Sequence, residues 1–346
     1  MIMLNNIKIL ATSSGNAAFP AVIQGLREAG FYEVYACDAR EGAGASKLAK
    51  KFFRVPSLID EDKFEREFLR ILELEKVQVI LPLSTIDQEY FSRRKEYFEN
   101  LGYIVAVASY SSIVNVGNKI NFAVSAKKIG LPIPTFELIY SKKDLLDYAE
   151  NKRSMNKDFV IKTAHGTGLQ GVKIVSMQKT KNFFDRFRTH LSFDEFLFYL
   201  GYLPEKFNLV AQEFLEGNHY SVDCFYSEKS GSFFSVRRTE VDHLLGSGRG
   251  GISFKSQFLH ELCLKIAKEF KLEFSFNVEL IGKSDHNAKV IEVNPRFAAS
   301  LLHTLESGLN LPLLNILKCV SDEKSYQPVI QYGLNYKHFD YGITYL

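Results

Sequence analysis

Val290-Ile291-Glu292-Val293-Asn294-Pro295-Arg296 is the stretch on which the reading of this chain turns. Apolar and polar residues alternate as far as Asn294, and Pro295 ends the run, so the segment predicts a strand that stops at a rigid corner. Successive strand side chains point to opposite faces, which sends Glu292 and Asn294 one way and Ile291 and Val293 the other. A preceding strand, Ser275 to Ile281, carries Glu279, which reaches the same side. Three converging oxygen donors suit Mg²⁺, which takes carboxylate and amide oxygens together with phosphates and water; Mn²⁺ suits the same donors. Arg296, just past the proline, is placed to clamp a phosphoryl oxygen in a bidentate way. Two carboxylates turned inward beside apolar neighbours need a cation or another partner, so a merely polar strand end explains them poorly.

Two upstream stretches fit the same chemistry. Lys162-Thr163-Ala164-His165-Gly166-Thr167-Gly168-Leu169-Gln170-Gly171-Val172 is a strand-end lysine followed by a glycine-rich loop and a second strand. Glycines let backbone N–H groups approach an anion, and lysine adds a point charge. A plain glycine-rich hairpin explains this stretch equally well when it stands alone. It lacks the GK[ST] of a P-loop, and the first βα turn, SSGNAAF, has one glycine where a dinucleotide fingerprint needs three. Gln212-Glu213-Phe214-Leu215-Glu216-Gly217 ends a strand and turns into the next, His219 to Phe225. Its backbone can meet a purine edge while Phe214 and Leu215 cover the ring.

The rest of the chain supplies the frame. At ~150 residues per domain, 346 residues predict about two or three domains. Up to about residue 110, apolar strands (7–11, 34–38, 77–81, 103–107) alternate with helices, the pattern of a parallel sheet covered on both faces. Ligands on such sheets gather at the carboxyl ends of strands, here Ser13 to Asn16, Asp38 and a loop from Pro82 to Glu89. Beyond residue 118 the strands pair closely through glycine turns, the pattern of antiparallel sheets. The fold class is therefore α/β, turning α+β in the C-terminal part. We divide it into an α/β domain at 1–110, a small subdomain at 111–208 with a helical insertion at 181–208, and a larger subdomain at 209–346. The tail from about Gln331 reads as an edge strand.

Composition excludes several classes. Hydrophobic residues at 46% and charged residues at 24% are ordinary for a globular chain. A net charge of +3 is too small to suggest nucleic acid. No window approaches the ~18 apolar residues of a membrane span. Cys37, Cys224, Cys263 and Cys319 form no CxxC pair, and with no export signal at the start they suggest reduced thiols in the cytoplasm.

Taken together, these motifs resemble the ATP-grasp superfamily, most of all single-copy proteins similar to half of the carbamoyl-phosphate synthase large chain. The resemblance rests on Asn118-Lys119, Gly130-Leu131-Pro132-Ile133-Pro134, the loop from Lys162, QEFLEG, NVEL and EVNPR, in the family's order over nearly the whole chain. It implies a pre-ATP-grasp domain followed by an ATP-grasp fold. It also implies that Lys119 and Lys162 hold ATP phosphates under a lid containing Gly166, Thr167, Gly168 and Gly171. Gln212, Glu213, Phe214 and Leu215 match the adenine hinge, and His219 stands where relatives keep a ribose-binding Glu. Glu279, Glu292 and Asn294 match the Mg²⁺ ligands. Arg296, with Lys162, would stabilise the transferred phosphoryl group.

The implied activity is an ATP-dependent ligase that phosphorylates a small carboxylate and passes the acyl phosphate to an amine or similar nucleophile. Asp87, Arg238 and Arg249 are the candidate substrate contacts, and Ser300 and His303 read better as a helix start with a solvated imidazole. Small molecules are the expected partners, with no nucleic acid or membrane, and a homodimer is compatible. Two other functions fit the same motifs: a small-molecule or carboxylate kinase without ligation, and a silent ATP-binding module.

Overall fold

The computed structural model describes residues 6–41, 43, 47–164, 171–177, 190–242, 247–320 and 326–337. Its first sheet is parallel, built from β1 (Ile9–Ala11), β2 (Val34–Asp38), β3 (Phe52–Arg54), β4 (Val79–Leu81) and β5 (Ile104–Val105) in the order β3-β2-β1-β4-β5. Alternation along β1 divides the core. Ile9 and Ala11 pack with helix α1 (Phe19–Glu28), whereas Leu10 packs with Phe64 and Phe68 of α2 (Glu61–Glu75) and Phe91 of α3 (Thr85–Arg93). Asp60 caps α2, its carboxylate accepting the Lys63 N–H. α4 (Lys95–Asn100) adds Phe98 to the same aromatic cluster.

Helix α3 corrects the expected loop from Pro82 to Glu89. Ser84 accepts the Asp87 N–H as an N-cap, so the chain is helical from Thr85. Its buried face mixes Asp87, Gln88 and Ser92 with Tyr90 and Phe91, and no apolar stripe announces it.

Helices α5 (Tyr110–Gly117) and α6 (Lys119–Lys128) lead into the second sheet. Its strands are β6 (Phe136–Ser141), β7 (Phe159–Thr163), β8 (Val172–Ser176), β9 (His190–Ser192) and β10 (Lys206–Glu213), in the order β6-β10-β7-β8-β9. All pairs are antiparallel except β8 with β9. The helices α7 (Lys142–Ser154) and α8 (Phe193–Leu200) pack on it through Leu145, Tyr148, Phe193 and Phe196 around Phe159. The helical insertion expected at 181–208 is thus a strand, one helix and the start of β10, with 181–189 outside the described residues. The boundary drawn at 208/209 falls inside β10; the break between sheets comes after Glu213.

The third sheet is antiparallel throughout. β11 (Asn218–Ser227), β12 (Gly231–Asp242), β13 (Ser247–Ser253), β14 (Phe274–Gly282), β15 (Lys289–Asn294) and β16 (Asn335–Lys337) take the order β15-β14-β11-β12-β13-β16. Helix α9 (Gln257–Glu269) lays Leu259, Cys263 and Ile266 against Val222, Cys224 and Val278 on one face. On the other face, α10 (Leu301–Glu306) and α11 (Leu311–Val320) bury Leu301, Leu314 and Ile316 between Phe225 of the third sheet and Ile9 and Phe19 of the first module. That shared core joins the two. The tail forms an edge strand at β16, and residues 338–346 lie outside the described ones. Among the described residues no helix is long and apolar enough to cross a membrane.

Phe68 is fully buried, with ring centroids 5.1 Å from both Phe64 and Phe91. Replacing Phe68 with Ala is expected to cost about 3–5 kcal/mol. Urea denaturation measures it, and an unchanged midpoint would contradict this packing.

Candidate active site

Register across the third sheet builds the site. Antiparallel partners share a face, so Glu292 of β15 stands directly opposite Glu279 of β14, then Ser221 of β11, then Arg237 of β12. One step along, on the same face, Asn294 faces Asn277, which faces Asp223. The two carboxylates and the Asn294 amide are therefore neighbours on one surface.

A β-bulge adjusts that surface. Leu280 pairs with Val290 while Glu279 pairs with Glu292, leaving Ile291 as the extra residue. Simple alternation, which sent Ile291 and Val293 to one face, is corrected: Val290 and Val293 are the buried pair against α9. The Ile291 carbonyl instead accepts a hydrogen bond from Lys162 Nζ at 3.1 Å.

Cations surround the carboxylates. Lys119 Nζ lies 3.3 Å from Glu292 Oε1. Arg296 donates from Nη2 to Asn294 Oδ1 at 3.4 Å, from Nη1 to the Phe297 carbonyl at 2.9 Å and from Nε to Thr85 Oγ1 at 3.3 Å. Thr85 belongs to α3, so the first module reaches into the site. Burial drives the Lys162 ammonium down to about 8, with Glu292 opposing and Lys119 adding to the shift. Burial drives the Glu279 carboxyl up to about 7, against the pull of Arg237 and the Ser221 hydroxyl. A carboxylate so placed wants a cation, and this donor set fits one: hard oxygens only, two of them charged, with the remaining positions left to phosphate and water. Among the described residues no cluster of three or more His, Cys, Asp or Glu stands ready to hold a metal, so phosphate would have to complete the site.

A narrow cavity beside the carboxylates is lined by Lys119, Lys162, Gln212 and Glu292 with the apolar Phe122 and Val210. Gln212 thus joins the site. Glu213 does not: its carboxylate accepts from Lys289 Nζ at 2.6 Å and from the Thr135 N–H at 2.8 Å. Phe214 and Leu215 leave the sheet and line a separate groove with Asp158 and Lys283. His219 lies on the site face of β11, one step beyond Ser221, paired with Thr239 and Ile281. The loop residues Gly166, Thr167 and Gly168 lie outside the described residues. Gly171, at φ +73°, closes the loop by accepting the Thr163 N–H, and a Cβ there would sit 2.0 Å from Thr163 Oγ1.

The substrate candidates fare unequally. Asp87 is buried in the first module, its Oδ2 accepting from Thr12 Oγ1 at 2.6 Å, and burial raises its pKa. Arg238 is a correction: it faces away from Glu279, on the side of the sheet that carries its cross-strand partner Tyr220, and is itself exposed. Arg249 is placed in β13 by its backbone alone. His303 is also corrected, being buried rather than solvated and stacked on Tyr336 at 5.1 Å. The residues that sequence reasoning passed over are Ser221, Asp223, Arg237 and Asn277. Their signal was present as Ser221 and Asp223 at alternate positions of an otherwise apolar strand.

A family described as "ATP-grasp in the biosynthetic pathway with Ter operon" matches residues 205–341, and one described as "Sugar-transfer associated ATP-grasp" matches residues 99–203. The chain is an ATP-grasp protein. No curated protein sequence matches this ATP-grasp chain. Solved structures do. An L-amino acid ligase from Bacillus licheniformis is 13% identical with a TM-score of 0.66, over 93% of this chain and 75% of that one. An N5-carboxyaminoimidazole synthetase from Staphylococcus aureus, complexed with ADP, is 16% identical with a TM-score of 0.65, over 90% and 77%. A biotin carboxylase domain from the Hydrogenobacter thermophilus 2-oxoglutarate carboxylase, in complex with MgADP and bicarbonate, is 14% identical with a TM-score of 0.65, over 94% and 72%. At these identities the likeness is one of fold.

Lys162 makes the site's electrostatics testable without ligand. Between about pH 8, where the folded protein releases this proton, and the ordinary lysine value of 10.5, the unfolded chain holds one proton more. Stability attributable to Lys162 should therefore rise with pH across that window, at up to about 1.4 kcal/mol per unit. Comparing denaturation of wild type and Lys162→Met from pH 7 to 10.5 checks it; parallel curves would refute the buried, cationic assignment.

Proposed function

We propose that this ATP-grasp protein is an ATP- and Mg²⁺-dependent ligase that joins a small carboxylate to an amine through an acyl phosphate. The observation that carries the reading is the cross-strand row of Glu279 and Glu292, flanked by Asn294 and ringed by Lys119, Lys162 and Arg296. A pure nucleotide binder has no use for two partly buried carboxylates facing each other at such a cost.

In this reading Lys119 and Lys162 hold the nucleotide phosphates, and Gln212 borders the purine. Glu279, Glu292 and Asn294 would hold a divalent ion, which would supply charge neutralisation for the nucleotide phosphates. A substrate carboxylate oxygen attacks the γ-phosphorus, the bond to the β–γ bridging oxygen breaks and ADP departs. Arg296, fixed at three points, offers its guanidinium to the phosphoryl oxygens in transit. The amine then attacks the acyl carbon and phosphate leaves. The first-module cavity lined by Thr12, Asp38, Ser84 and Asp87 flanks Thr85, the residue that holds Arg296, and is where we place the amine. Water must stay out meanwhile, because an acyl phosphate hydrolyses.

Incubation with ATP, pooled small carboxylates and amino acids tests this. ADP and phosphate should appear only when carboxylate and amine are both present. A stable phosphorylated product would instead make it a kinase, and tight ATP binding without turnover a silent module. Glu292→Gln is expected to lower turnover at least about 10²-fold while the protein melts as a folded one; undiminished turnover would refute the metal assignment.

A further inference from the structure

Arg237 is almost fully buried, at 3% exposure, with one strand between it and Glu279. Both terminal nitrogens of its guanidinium are nonetheless engaged. Nη1 donates to Asp223 Oδ2 at 2.6 Å and Thr304 Oγ1 at 3.3 Å. Nη2 donates to Ser221 Oγ at 2.8 Å and to Ser300 Oγ.

Donor counting shows what these bonds do. Ser221 Oγ accepts from Arg237 and, at 2.9 Å, from Asn277 Nδ2, which fills both lone pairs. Its single proton is left for Glu279 Oε1, at 2.8 Å. Asn277 spends its amide protons on Ser221 and on Asp223 Oδ1, the latter at 2.9 Å, so its oxygen turns to Asn294 Nδ2 at 3.5 Å. That contact sets the Asn294 amide with its nitrogen inward and its oxygen toward Arg296 and the metal position. Thr304 also donates to Asp223, tying in α10, the helix after the Arg296 segment.

We infer that Arg237, through its ion pair with Asp223, is a positioning residue that fixes the orientation of two metal ligands, Glu279 by way of Ser221 and Asn294 by way of Asn277. The inference rests on the metal assignment above and adds to it a specific supporting shell. Partners of metal ligands commonly set metal affinity by 10–100-fold. Arginine is required because only a planar fork reaches Asp223, Ser221 and Ser300 at once.

Manganese supplies the probe. With ADP present, Mn²⁺ binding is followed by loss of the free-ion electron paramagnetic resonance signal, alongside ADP affinity without metal. Ser221→Ala, which deletes one hydroxyl, should weaken Mn²⁺ binding about tenfold and leave metal-free ADP affinity unchanged. Ser221→Thr should restore most of the Mn²⁺ affinity. Arg237→Lys, checked by thermal melting, should weaken it at least as much as Ser221→Ala. Wild-type binding that Glu292→Gln abolishes and Ser221→Ala leaves unaltered would overturn this inference and keep the metal site. Wild-type protein that takes up no Mn²⁺ with ADP would overturn both.

Discussion

Like charges directly opposite each other on adjacent strands repel, and a fold tolerates the arrangement only if something else holds it. Glu279 and Glu292 form such a pair. Around them the chain arranges three cations from three different elements: Lys119 at the start of α6, Lys162 at the end of β7 and Arg296 after β15. Those elements belong to the second sheet, the third sheet and the helix between the first two modules. The carboxylate pair thus sits where these elements converge. Burial, more than the neighbouring carboxylate, lifts the Glu279 carboxyl to about 7 despite the nearby Arg237.

Much of this was legible in the sequence, because it depends on local pattern. Strand alternation put Glu292 and Asn294 on one face, and glycine and proline marked the turns. The family resemblance fixed which lysines to watch. What was not legible depends on register. Whether Arg237 or Arg238 faces the carboxylates is decided by the hairpin that pairs Ser227 with Gly231, and one residue of slip exchanges them. The bulge at Ile291 is a second case, since it breaks the alternation inside the very strand from which the site was read.

Other misreadings have a different origin. Helix α3 hides because its inward face mixes polar residues with aromatic ones, and only the Ser84-x-x-Asp87 spacing betrays it. His303 looked like a solvent-facing residue at a helix start because nothing nearby in sequence foretells Tyr336, which comes from a strand added at the far edge of the third sheet. Long-range closure of this kind leaves no local trace.

The hydrogen bond from Arg296 to Thr85 spans 211 positions of chain and crosses between modules. The guanidinium proposed to meet the nucleotide is thus steadied by a residue of the first module, next to the cavity where we place the amine. Under the proposed function, docking of the first module and readiness for phosphoryl transfer would be one event. An occupant of that cavity would be felt at the arginine through a single intervening hydroxyl, giving the acceptor a direct mechanical voice in when the nucleotide is committed.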